Sequence, residues 1–258
     1  MQRTVLRIRA RQPLIGLLFP LVVTQLLAAA APAPLRILVP NILEGAIRDL
    51  QPMLRSRLGA PLDIEYVQMS LIAERLNRGE AADVAILTRA NIQPLLDKGR
   101  IKAQYDLVQS ALGIAVPEGK PLPPMNTTDD LIAFIKSTPS IALFGTGASA
   151  AVLTQFAEKN GLADILKKKA TVITEGYAGA LVRDGKVASA MQQIAELKFG
   201  GANNIVPLPE ALQTRPVSAV IVLEGCRQPA LAAKLAELLR SPEAVAAYRK
   251  AGLTPAIK

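Results

Sequence analysis

Histidine and tryptophan are absent from this 258-residue sequence, and cysteine occurs once. Without histidine the chain has neither the commonest general base nor the commonest ligand of transition metals. The single Cys226 can form no disulfide within the chain and no zinc cluster. Aromatic residues make up only 3% of the sequence, which disfavours the stacking platforms that bind single-stranded nucleic acids. We therefore predict a protein with no metal site, no cofactor, no disulfide and no nucleic-acid partner.

Apolar residues are abundant, at 50% of the sequence, whereas charged residues make up 20%. A chain of this length and composition can bury a substantial core, as one large domain or two modest ones. The net charge is +9, but Arg3, Arg7, Arg9 and Arg11 supply four of these charges within the first dozen residues. The remaining surplus is diffuse, which suits a small anionic ligand better than a nucleic acid.

Residues 1–31 have the three-part layout of a secretory signal peptide. The four arginines precede the apolar segment PLIGLLFPLVVTQLLAAAA, whose small residues offer a cleavage site near Ala28 to Ala31. An N-terminal membrane anchor is the alternative, since the apolar segment is at the short end of the roughly 17 to 25 residues that span a bilayer. We predict cleavage and export, which place the mature protein in the periplasm.

From Leu35 onward, short apolar runs alternate with amphipathic segments of helical length. The runs LRILV, LDIEYVQ and VAIL read as strands, and the segments between them have helical spacing that stops at Gly59 and Gly79. Strands that are continuously apolar are typical of a parallel sheet covered by helices on both faces. The sequence therefore predicts an α/β fold.

A second strand and helix series follows a long predicted strand in LVQSALGIAVPEG, and a proline-marked connection, Ile205 to Gly225, leads out of it. We predict two lobes, the first formed by residues 32–112 and 208–258 and the second by residues 113–207. Two crossings between lobes make a hinge with a cleft, and in α/β sheets ligands bind at the carboxyl ends of the strands. We expect a monomer.

Several segments resemble the periplasmic molybdate-binding proteins of the type-2 solute-binding fold. The segments are GEAADVAIL with its spacing to PLLDKGRI, GIAVPEG, VRDGKVASAM and LLRSPEAVAAYRKAGL. The resemblance covers nearly all of the mature chain. It implies a two-lobe fold whose inter-lobe cleft captures an oxyanion and delivers it to an ABC-type permease.

The sequence departs from the molybdate pattern at the ligand positions. Ile42 stands where a serine is usual, Met69 and Ser70 lie near a second serine position, and Gln193 replaces a usual tyrosine. The motifs AILTRA, AMQQIAEL and PLPEALQ resemble a divergent branch that includes bacterial aconitate isomerase. The resemblance thus implies a carboxylate as well as an oxyanion as the ligand.

Polar residues at the ends of predicted first-lobe strands are the first site candidates. Thr88 and Arg89 follow the buried run VAIL, and an arginine can form two parallel hydrogen bonds with a carboxylate. The alternative for Arg89 is a surface arginine that bonds solvent and strand carbonyls. Ser70 either contacts the ligand or only caps the next helix through the N–H of Ala73.

In the second lobe, FGTGAS places Thr146 and Ser149 between a strand and a helix, where free N–H groups favour an anion. The alternative is that Ser149 is an ordinary helix N-cap, which accounts for the same sequence without a ligand. Tyr177 begins another helix, where its hydroxyl either contacts the ligand or closes the surface between lobes. Gln192 and Gln193 end a strand, and strand alternation predicts that only Gln193 faces the cleft.

Two functions fit this scaffold. The first is a periplasmic binding protein that closes around a small anion and needs no catalytic residue. The rival is an aconitate-type isomerase, in which a base moves an allylic proton of a tricarboxylate. Without histidine, that base is a carboxylate, a lysine or a tyrosine with a shifted pKa, and Glu175 and Tyr177 are the candidate pair.

Overall fold

The computed structural model describes residues 33–257. The predicted signal peptide, residues 1–31, lies outside this range. Within residues 33–257, no helix combines the length and the apolar character that crossing a bilayer requires.

The described chain alternates strands and helices, as the sequence predicts. The strands are β1 Leu35–Pro40, β2 Leu62–Val67, β3 Val84–Thr88, β4 Ile101–Gln109, β5 Leu112–Ala115, β6 Ile141–Phe144, β7 Ala170–Ile173, β8 Ala190–Gln193, β9 Ile205–Pro207, β10 Val217–Leu223 and β11 Thr254–Pro255. The helices are α1 Glu44–Leu58, α2 Met69–Asn77, α3 Arg89–Asp97, α4 Thr128–Ser137, α5 Gly147–Lys159, α6 Ala163–Lys169, α7 Ala178–Arg183, α8 Ile194–Phe199, α9 Pro229–Leu238 and α10 Pro242–Lys250. Single 3₁₀ turns occupy Asn41–Leu43 and Glu210–Leu212.

The strands form two separate sheets, which define a first and a second lobe. The first sheet has the order β11-β4-β10-β3-β1-β2, and the second has the order β7-β6-β8-β5-β9. The predicted two-lobe α/β fold is therefore confirmed. The strands of the second sheet lie between Leu112 and Pro207. The lobe limits at residues 113 and 207 stay a prediction.

The sheets are mixed, which corrects the expectation of parallel sheets. Strand β1 pairs in parallel with β2 and β3, and β6 pairs in parallel with β7 and β8. The other pairings, which involve β4, β5, β9, β10 and β11, are antiparallel. In the first sheet β10 runs antiparallel to both of its neighbours, β3 and β4, and in the second sheet β5 runs antiparallel to both β8 and β9.

The long strand predicted from Leu107 is also corrected. It breaks at Ser110 and Ala111, so that β4 completes the first sheet and β5 begins the second. The side-chain amide of Gln213, in the second crossing, joins the two crossings at this point. Its oxygen accepts from the N–H of Leu112 at 2.9 Å, and its nitrogen donates to the Leu112 carbonyl at 2.9 Å. The two connections therefore run side by side between the lobes.

Each lobe has its own apolar core, and helix α8 joins them. In the first lobe, Leu35 and Ile37 of β1 pack with Ile47 of α1 and with the fully buried Tyr248 of α10. Ala195 of α8 follows a strand of the second sheet, yet it belongs to the same first-lobe cluster. Helix α8 therefore packs against residues of both lobes.

Candidate ligand-binding cleft

A cleft of about 740 Å³ lies between the two sheets. It is at the carboxyl ends of β1, β2, β3, β6 and β8, where ligand crevices of α/β sheets are expected. First-lobe strand ends and helix starts form one wall: Pro40, Asn41, Ile42, Gln68, Met69, Ser70, Thr88 and Asn91. Second-lobe residues form the other: Phe144, Thr146, Gly147, Ser149, Ala151, Val152, Gln192, Gln193 and Glu196. The crossings and β10 add Ser110, Thr214, Arg215, Pro216 and Ser218.

The N-terminal ends of helices from both lobes meet at this cleft. Gln68, Thr88, Thr146 and Gln193 are the N-caps of α2, α3, α5 and α8, and all four line the cleft. Thr88 caps its own helix, accepting from the N–H of Asn91 at 3.4 Å. The other three make no side-chain cap hydrogen bond. The first backbone N–H groups of α2 and α5 are therefore left for solvent or a ligand, and they carry partial positive charge. At the start of α8, the N–H of Ile194 instead donates to the carbonyl of Ala111 at 2.9 Å.

Five of the residues predicted from the sequence come together here. Ser70, Thr88, Thr146, Ser149 and Gln193 all line the cleft. Two local assignments change: Ser70 is the second residue of α2 and not its N-cap, and Ser149 is the third residue of α5. Whether these side chains contact a ligand stays a prediction.

The structure places Arg89 outside the lining of the cleft. It is the first residue of α3, and its exposed guanidinium pairs with Asp106 of β4. The chain turns from strand to helix at Thr88. Thr88 therefore faces the cleft, whereas the side chain of Arg89 points toward β4. The arginine that lines the cleft is Arg215 in the second crossing, where it pairs with Glu210. Its position in TRP, directly before β10, was the available sequence signal.

Tyr177 and Glu175 also lie outside the cleft lining. The Tyr177 hydroxyl donates to the carboxylate of Glu44 in α1, and its ring packs edge-on against Phe199 at 5.0 Å between centroids. Burial and the hydrogen bond with Glu44 raise the pKa of Tyr177 far above its usual value. These contacts fit the alternative that Tyr177 closes the surface between lobes. Glu175 is exposed in the turn before α7.

Glu196 is the functional candidate that sequence reasoning missed. It lines the cleft as the third residue of α8, where the residue is half-buried by its accessible surface, and burial raises the pKa of its carboxyl from about 4.5 to about 7. Hydrogen bonds from the backbone of Gln193 and the side chain of Gln192 oppose this rise. The available signal was the glutamate in AMQQIAEL, placed one helical turn after a strand end.

Gln192 and Gln193 both line the cleft, although alternation predicted only one. The strand ends at Gln193, where α8 begins, so the alternation ends there too. The side-chain oxygen of Gln192 accepts from the N–H of Ala178 at 2.9 Å. The side-chain oxygen of Gln193 is buried and has no hydrogen-bond partner within residues 33–257. A ligand in the cleft can supply the missing partner.

The raised pKa of Glu196 predicts that Glu196→Gln changes the pH dependence of stability. The folded state binds the Glu196 proton more tightly than the unfolded state, so wild-type stability falls as pH rises from about 4.5 to about 7. The glutamine variant lacks this loss. The difference in free energy of unfolding, variant minus wild type, should therefore increase by on the order of 1–3 kcal/mol between pH 5 and pH 8.

Denaturant unfolding at the two pH values measures this difference. Glu158→Gln, which removes an exposed carboxylate from α5, is the matched control. An equal stability difference between wild type and Glu196→Gln at both pH values would contradict the prediction.

Comparison with known proteins agrees with this architecture. The family model described as bacterial extracellular solute-binding protein matches residues 35–254. The aconitate isomerase of a Pseudomonas species is 28% identical over 241 residues, which cover 90% of this chain and 92% of the relative.

Two solved structures illustrate the shared fold. The periplasmic molybdate-binding protein of Azotobacter vinelandii has a TM-score of 0.70 at 15% identity, covering 85% of this chain and 98% of its own. The sulfate-binding protein SubI of Mycobacterium tuberculosis has a TM-score of 0.62 at 12% identity, covering 87% and 88%. The resemblance predicted from the sequence is therefore confirmed, and the chain belongs to the family of bacterial extracellular solute-binding proteins.

Proposed function

We propose that this protein captures a small carboxylate or related oxyanion between its two lobes in the periplasm and presents it to an ABC-type permease. The observation that carries the proposal is the convergence of helix N-termini from both lobes on one cleft. Two of the N-caps there, Gln68 of α2 in the first lobe and Thr146 of α5 in the second, leave the first N–H groups of their helices without a side-chain cap. Helix N-termini favour anions even where few cationic side chains are present.

Capture follows from the placement of these donors on opposite walls. An anion that accepts from α2 of the first lobe and α5 of the second interacts best when the lobes approach each other. Because the ligand then binds the closed form more tightly than the open form, it shifts the hinge equilibrium toward closure. The two crossings, joined by Gln213, are the segments about which the lobes turn.

The lining favours an organic anion over a small inorganic one. Apolar side chains of Ile42, Met69, Phe144 and Val152 share the cleft with the polar groups. A volume of about 740 Å³ lies within the range of roughly 300–1,000 Å³ that small organic ligands occupy. The two solved structures described above are named for molybdate and sulfate, whereas the relative at 28% identity is named for a tricarboxylate.

A thermal-shift screen of the mature protein tests the proposal. The ligands are molybdate, tungstate, sulfate, and di- and tricarboxylates. An anion at about 100 times its dissociation constant should stabilise the folded state by about 2.7 kcal/mol, because it binds the folded chain and not the unfolded one. Matched sodium chloride solutions control for ionic strength. If none of these anions stabilises the protein, the capture proposal is wrong.

A second candidate function is isomerisation of aconitate, favoured by one specific observation. Glu196 places a carboxylate with a pKa of about 7 against the cleft, which is the strength that general base catalysis near neutral pH requires. Chromatography of cis- and trans-aconitate after incubation with the protein measures this activity. If turnover at high protein concentration is no faster than in the blank, the isomerase function is ruled out.

A further inference from the structure

Among the described residues that line the cleft, Glu196 is the single carboxylate. The backbone of Gln193 and the side-chain amide of Gln192 lie close enough to favour the charged form of Glu196. The oxygen of that amide is occupied by the N–H of Ala178 at 2.9 Å, so the amino end faces Glu196. The carboxylate therefore lies on the cleft wall, on a helix whose Ala195 packs in the first-lobe core.

Within residues 33–257, the charged and titratable groups near Glu196 provide no compensating cation. Tyr177 at the start of α7 is close enough to interact with Glu196, but its raised pKa keeps it a neutral phenol. Arg48 of α1 pairs with Glu44 at 2.7 Å, and Arg215 across the cleft pairs with Glu210. Burial without an ion pair explains why the pKa of Glu196 reaches about 7. Both protonation states are then populated near neutral pH.

We infer that Glu196 removes a proton from the methylene carbon of a bound tricarboxylate and returns it to the far carbon of the adjoining double bond. The inference rests on the second candidate function, and through it on anion capture. It concerns tricarboxylates of the aconitate type, in which a CH₂ arm and a CH arm flank one central carbon.

The step balances without a cofactor or a second reactant. The methylene C–H bond breaks, its proton passes to the Glu196 carboxylate, and its electron pair forms a new double bond to the central carbon. The electrons of the old double bond take the proton back from Glu196 at the former CH carbon. The two arms exchange roles, so the constitution is unchanged. The conformation in which the cleft holds the arms sets whether the new double bond is cis or trans.

The surroundings of Glu196 suit the intermediate as well as the base. Removal of the proton spreads negative charge onto the carboxylates of the substrate. Uncapped N–H groups at the starts of α2 and α5 lie on the walls of the same cleft, where they can stabilise that charge.

Glu196→Gln tests the assignment, because glutamine keeps the size of the side chain and removes the base. The experiment measures the rate of cis–trans conversion of aconitate by chromatography and ligand-induced stabilisation by thermal shift, for each variant. We expect Glu196→Gln to remain stabilised by aconitate but to convert it at least about 100-fold more slowly than wild type. The wild-type kcat/KM should rise with pH through about 7, and Glu196→Asp should recover part of the rate.

The controls separate the possible failures. Glu158→Gln, on the exposed side of α5, should convert aconitate at the wild-type rate. If Glu196→Gln retains the wild-type rate, or if Glu175→Gln loses it instead, the assignment of Glu196 is overturned. If aconitate stabilises wild type without any conversion, the proton transfer is overturned and capture stands. If no anion stabilises wild type, capture itself fails.

Discussion

Thr146→Asp should weaken anion binding by on the order of 100-fold without destabilising the protein. Thr146 is the exposed N-cap of α5, lines the cleft and makes no side-chain cap hydrogen bond. An aspartate there is a good N-cap and complements the helix dipole, so the fold should be retained or slightly strengthened. A carboxylate about 5 Å from a bound anion opposes it by roughly 3 kcal/mol at an effective dielectric constant of about 20.

The measurement is the dissociation constant of the anion that the thermal-shift screen selects, by calorimetry, beside the melting temperature of the free variant. Thr127→Asp is the matched control, because Thr127 is the exposed N-cap of α4 and lies outside the cleft lining. It should leave the affinity within about twofold of wild type. Equal affinities for Thr146→Asp and wild type would show that the anion does not bind at the start of α5.

Gly179→Ala should lower the free energy of unfolding by about 3 kcal/mol or more. Gly179 is buried in α7, and a Cβ atom on it would lie 2.3 Å from the carbonyl oxygen of Leu197 in α8. Backbone atoms cannot rotate away as a side chain can, so the two helices must separate. Helix α7 begins after Tyr177 and α8 carries Glu196, so the same change should weaken the contact between lobes and disturb the cleft.

Denaturant unfolding measures this loss. Gly225→Ala is the control: an added Cβ there would meet no atom within 4 Å, and its backbone is outside the left-handed region. We expect that control to change stability by less than about 1 kcal/mol. A Gly179→Ala variant as stable as Gly225→Ala would contradict this prediction, because α7 and α8 would then separate without lowering the free energy of unfolding.

Local features of the sequence predicted most elements because each depends on neighbouring residues. Gly59 ends α1 in the left-handed conformation, with φ 64°, as its place after an amphipathic segment indicates. Polar residues at or just beyond the ends of buried strands, such as Thr88 and Thr146, are N-caps at the cleft for the same local reason. The break at Ser110 and Ala111 was not predictable, since the local sequence does not show that the two halves of this segment join different sheets.

The sequence by itself determined the alternation of strands and helices, the family, and the strand ends that meet at the cleft, because turn chemistry and apolar periodicity are properties of short segments. Only the tertiary structure decided which charged groups lie there. Arg89 is drawn to Asp106, and Tyr177 is bonded to Glu44, 133 positions away. The pKa of Glu196 depends on what surrounds its carboxyl after both lobes have packed around α8. Burial and partners of a charge come from distant parts of the chain, and no short segment contains that information.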